Sequence, residues 1–148
     1  MLEKDTIKET LFDTLGTGDV AWSQRLGAAT YALLFVAADR LLAAGASLVV
    51  EANFFRGMEP RFADLPPHRL VQVHCDAPLE TIVARYEGRT GSRHQGHLDD
   101  QRVDALRDRH ASGLNGTLDL TGGLIELDTS AASPEELADD VLHALRTL

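Results

Sequence analysis

A carboxylate and an amide stand two positions apart in Val49-Val-Glu-Ala-Asn-Phe54. The run before them, from about residue 46 to residue 52, follows a helical pattern broken by Gly45 and reads as a buried strand of a parallel sheet. Open α/β sheets bind ligands at the carboxyl ends of their strands. Glu51 and Asn53 therefore mark a place where chemistry can happen, although an ordinary strand end explains them equally well. Asp5 opens a helical pattern. Its carboxylate can accept a proton from a substrate hydroxyl, or it can simply cap the helix. Arg85, Arg89 and Arg93 surround a Gly-rich polar stretch, Glu87 to His97. Guanidiniums on such a loop can clamp a polyphosphate and neutralise charge on a transferred phosphoryl group. A solvated loop whose arginines complement a helix dipole accounts for the local pattern more simply.

Other chemistries have less behind them. A phosphate cradle of the form GxxxxGK[ST] is absent, and no glycine precedes either lysine, Lys4 or Lys8. His94 and His97 share a loop, but zinc needs three or four convergent ligands and no CxxC or HExxH accompanies them, so no metal is expected. His74 reads as a packed strand residue. Cys75 has no nucleophile motif around it and reads as a small buried apolar residue.

The elements that must position these groups follow from patterning. The 148 residues, 44% hydrophobic, suit one domain with one core, residues 1–148. The formal charge of −9 disfavours nucleic acid and anionic membrane as partners. One cysteine excludes an internal disulfide and points to the cytosol. No run of about 18 apolar residues suggests a membrane span, and the charged start is unlike a signal peptide. Helices are expected over about 5–15 and 20–43, the second capped by Asp19 and apolar nearly all round. A connector with one helical turn at most leads to a strand at 70–75. A helix over 78–86, a lid-like loop over 87–98 and a charged helix from Asp99 to about 110 come next. A strand at 124–128 and a helix opened by Ser133-Pro-Glu-Glu136, a capping-box pattern, finish the chain. The alternation predicts an α/β fold of three αβα layers around a mainly parallel sheet.

The order of these pieces resembles the P-loop small-molecule kinases, the group of gluconate kinase-like, chloramphenicol phosphotransferase-like and polynucleotide kinase-like AAA-type ATP-binding proteins. The resemblance rests on Lys4-Asp-Thr-Ile-Lys8, Val49-Val-Glu-Ala-Asn-Phe54, Cys75-Asp-Ala-Pro78, Arg85 to Arg89 and Leu127-Asp-Thr-Ser130. It implies an ATP- and Mg²⁺-dependent phosphotransferase acting on a small-molecule hydroxyl acceptor. On that basis Asp5 and Glu51 are catalytic, Asn53 and Arg25 touch substrate, and Arg85, Arg89 and Arg93 form the lid. Asp128 and Thr129 lie on the adenine side. The family pattern opens with a central strand and a Walker A loop that residues 1–148 lack, so the same resemblance leaves a non-catalytic binding or oligomerising remnant as the alternative. With the first, central strand missing, unpaired buried N–H and C=O groups would cost about 1–3 kcal/mol each. Strand 46–52 is therefore expected to pair with strand 69–75, or a second chain, as in a homodimer, to supply the pairing.

Overall fold

The computed structural model describes residues 1–89, 94–98 and 103–147. Strand β1 (Leu2–Glu3) runs directly into helix α1 (Lys4–Leu15). Gly16 ends that helix at φ 87° and donates its N–H to the Phe12 carbonyl. Helix α2 (Val20–Ala43) starts on Asp19, whose side chain accepts the Trp22 N–H, as expected of a capping aspartate. Strand β2 (Val50–Glu51) follows, then a short helix α3 (Glu59–Ala63). Strand β3 (Val71–Asp76), helix α4 (Leu79–Gly88), a 3₁₀ turn at Gln95–His97 and helix α5 (Val103–Ala111) come next. Strand β4 (Gly123–Asp128) leads into helix α6 (Pro134–Leu145), which opens with the capping box its sequence predicts.

All strand pairing is parallel, with helices in the crossovers, so the α/β reading holds. The pairing partners differ from expectation. Strand β2 pairs with β1, Leu2 opposite Val50 and Glu3 opposite Glu51, and β3 pairs with β4 from Val71–Gly123 to Asp76–Asp128. Among the described residues there are thus two separate two-stranded sheets, and the expected direct pairing of strand 46–52 with 69–75 is overturned. The physical reason lies in exposure. The penalty that was to drive pairing applies to buried groups, whereas Val73 and Leu124, on opposite faces of the β3–β4 pair, are 40% and 48% exposed. Both faces of this pair are open to solvent, so its edge is not sealed in a core. The same openness corrects Cys75, which is exposed rather than buried.

The best-packed core lies between α1 and α2, where Phe12, Leu26 and Leu34 are buried. Thr30 is fully buried there and returns its hydroxyl to the Leu26 carbonyl at 2.7 Å, which removes the cost of burying it. By length and composition α2 meets the measure of a membrane-crossing helix, which a search for an unbroken apolar run does not pick out. Here Ser23, Leu26, Thr30, Leu34 and Ala38 are its buried residues.

Candidate functional site

The parallel register brings the first three site residues together. Glu3 lies opposite Glu51, so Asp5 in the first turn of α1 emerges at the same strand end as Glu51 and Asn53. Asp5 is not the helix cap: that position falls to Glu3, which makes no side-chain cap bond. The Asp5 carboxylate instead takes a 2.6 Å ion pair from Lys4.

Tyr31 closes this corner. From the middle of α2 its hydroxyl lies 2.7 Å from the Asn53 carbonyl oxygen and 3.0 Å from the Asn53 side-chain oxygen, placed to donate to either. Burial holds this hydroxyl well above the usual phenol range. The Arg109 charge pulls the other way, and the Asp5 and Glu51 carboxylates add to the rise. One hydroxyl thus stands within electrostatic reach of all three charged groups. Phe54 and Phe55 flank the Tyr31 ring, with centroids at 6.2 and 5.9 Å, and Phe35 and Phe62 extend the aromatic cluster. Sequence reading misses Tyr31 and Arg109, because each lies inside a helix with no motif around it. The apolar all-round pattern of α2 was the available sign that this helix packs on more than one side.

The arginines divide. Arg85 donates one nitrogen to the Thr129 hydroxyl and another to the Thr129 carbonyl, both at 2.8 Å, and Thr129 in turn donates to the Asp76 carbonyl at 2.9 Å. These bonds tie α4 to the carboxyl ends of β3 and β4. Asp128 accepts from the Ser130 hydroxyl and N–H, which with the Arg85 charge hold its carboxyl below the usual carboxylate range. Arg89 follows the last residue of α4 and stacks on Tyr86, 4.8 Å from the ring centroid. Arg93 lies outside the described residues, as does the expected cap Asp99. Arg25 stacks on Trp22 at 5.2 Å, near the start of α2, and no contact among the described residues joins it to Asn53. A cavity of about 660 Å³ opens beside the ends of β3 and β4, lined by Arg56, His74, Asp76, His110 and Asp128 among others.

The described part of the loop expected as a lid, residues 94–98, packs on α1 and α2. His94 stacks flat on Phe12 and meets Asp13 at 3.2 Å, and the buried His97 meets Glu9 at 2.9 Å. Ser23 accepts from the buried Lys8 and donates to the Gly96 carbonyl. A side chain at Gly96 would meet the Phe12 ring at 2.6 Å, so only glycine allows this approach.

These residues do not fit a phosphate-and-magnesium cradle of the kind ATP needs. Lys4 is paired with Asp5 and Lys8 is buried against Ser23, so neither lysine faces an open anion site. Among the described residues no three His, Cys, Asp or Glu side chains converge on a metal position.

No protein-family model matches the sequence, and no curated protein does. Among solved structures, the chain is similar to a putative kinase from Chloroflexus aurantiacus J-10-fl. The two are 33% identical and superpose with a TM-score of 0.85, over 99% of this chain and 82% of the other. At that identity and coverage the likeness extends beyond fold, and the chain belongs to the same kinase-like α/β family as this Chloroflexus protein.

Proposed function

We propose that this chain is a phosphotransferase of the P-loop small-molecule kinase type, with its acceptor side built around Asp5. The observation that supports this most is the meeting of Asp5, Glu51 and Asn53 at the carboxyl ends of two adjacent parallel strands. In this reading Asp5 takes the proton from the acceptor hydroxyl, with the Lys4 ammonium beside its carboxylate. Glu51 orients the acceptor with Asn53, whose amide is fixed by Tyr31. Arg25 supplies an outer contact. No described residue cradles the phosphates of a nucleotide; its base would lie beside β3 and β4 near Asp128 and Thr129, with Arg89 close by and Arg93, outside the described residues, kept only as what the resemblance implies. Arg85 serves there by locking α4 to Thr129. The setting is cytosolic, in keeping with a single thiol, Cys75, that is exposed and unbridged.

The unpaired edges of the two strand pairs favour a second reading, a domain that binds an acceptor or oligomerises through those edges without transferring phosphate. Transfer of the γ-phosphate from labelled ATP to a panel of small hydroxyl compounds separates the two. Phosphorylated product that falls at least 100-fold in Asp5→Asn, with the fold intact, supports the kinase. Acceptor binding without product selects the second reading. An Asp5→Asn variant with full transfer activity would remove Asp5 from its role.

A further inference from the structure

The fold uses only part of the apolar surface of α2. The stripe Ser23, Leu26, Thr30, Leu34 and Ala38 is buried. Ala32 stands at the middle of the opposite side and is exposed. Four positions before and after it stand Ala28 and Val36, and seven before and after it stand Arg25 and Asp39. Eleven positions out on either side are Ala21 and Ala43. At about 100° per residue these positions share an arc of about 80°, so they form one face. All are exposed except Asp39, whose side chain is 44% accessible. Val36 is 59% exposed, and Leu33 at the border of the face is 47% exposed, so the middle of the face is an apolar patch open to solvent. Among the described residues Arg25 lies over Trp22 and makes no ion pair, and Asp39 meets only its neighbour Arg40, at 3.9 Å.

We propose that this face is a dimer interface, on which α2 packs antiparallel against α2 of a second copy about a two-fold axis at Ala32. The spacing along the face reads the same in both directions. In that register Ala28 meets Val36, Arg25 meets Asp39 and Ala21 meets Ala43, each pair formed twice. A two-fold contact must be self-complementary, and here the signs match: a guanidinium at one end of the face meets a carboxylate at the other. Side chains this small let the helix axes approach to about 8 Å, and the contact runs for about 33 Å. A lipid surface also takes an apolar helix face, but it offers Asp39 no partner, whereas a second copy does. The proposal goes beyond the acceptor reading and does not use Asp5, Glu51, Asn53 or Tyr31; only Arg25 is common to the two. It is also distinct from association through the strand edges.

The test is sedimentation velocity of the full chain at micromolar concentrations, alone and with vesicles of neutral and anionic phospholipid. The proposal expects twice the mass of one chain in the absence of lipid. Asp39→Arg sets like charges together at both ends of the contact and should weaken the dimer at least tenfold. Arg25→Asp combined with Asp39→Arg brings back opposite signs and should return most of the parent's affinity. Ala32→Arg places two like charges at the axis and should give a monomer with an unchanged circular-dichroism spectrum, because Ala32 is exposed. A parent that stays monomeric, or that associates only with vesicles, overturns the proposal. So does a dimer that survives Ala32→Arg, which would assign it to the strand edges, and so does a charge reversal that the double variant fails to rescue.

Discussion

Tyr31 is the residue on which the acceptor corner turns. Its hydroxyl meets both oxygens of Asn53, and its burial raises the cost of leaving that hydroxyl unpaired. Tyr31→Phe keeps the ring contacts with Phe54 and Phe55 and removes only the bond. It should lower unfolding free energy by about 1 kcal/mol in urea titration and weaken acceptor binding by releasing the Asn53 amide. Unchanged stability together with unchanged binding would mean that Asn53 is held by its own backbone. At this scale the sequence was legible where a residue sits at an element's end. Asp5, Glu51 and Asn53 stand at strand-to-loop or strand-to-helix junctions, and such junctions show in one dimension. Tyr31 and Arg109 lie inside helices, and which face of a helix meets the site depends on tertiary packing that no local pattern encodes. Cys75 was misread for a related reason, since whether a strand's face is covered is settled by distant helices.

Among the elements, α6 shows how far local signals reach. Ser133 accepts the Glu136 N–H, and the Glu136 side chain returns to the Ser133 N–H, as the serine, proline and glutamate spacing announces. Ser133→Ala should cost about 1 kcal/mol in thermal or urea unfolding. The Glu136 carboxyl lies below its ordinary range because Ser133 donates to its charged form, and Asp128 is lowered by Ser130 in the same way. A carboxylate with a depressed folded pKa contributes stability above its unfolded pKa and loses it as pH falls through the folded value. The chain should therefore lose stability as pH drops below about 4, and Glu136→Gln, which removes the titrating carboxyl, should flatten that slope. A slope identical in the variant and the parent would remove Glu136 from the acid response. Caps and helix patterns were readable because they depend on neighbours three or four residues away. Strand length was not: the apolar run expected to form strand 46–52 contributes only Val50–Glu51 to a ladder, since its partner among the described residues is the two-residue strand Leu2–Glu3.

For the whole molecule, the parallel alternation was readable and the sheet order was not. The crossover helices bind each strand pair into its own unit: α1 and α2 connect β1 to β2, while α4 and α5 connect β3 to β4. The expected joining of the two pairs presumed buried edges, and the exposed Val73 and Leu124 remove that pressure. Two-stranded sheets are marginal by themselves, so the α1–α2 core around Phe12, Leu26 and Leu34 carries the fold. The acceptor corner stands beside that core, whereas the proposed nucleotide side stands on the more open β3–β4 pair. The central claim is that the chain binds its small-molecule partner at the carboxyl ends of β1 and β2. Amide chemical-shift mapping with the panel of small hydroxyl compounds tests it most directly. The account predicts shifts gathered at Asp5, Tyr31, Glu51 and Asn53. Shifts gathered instead around His74, Asp76, His110 and Asp128, or no shifts at all, would contradict it.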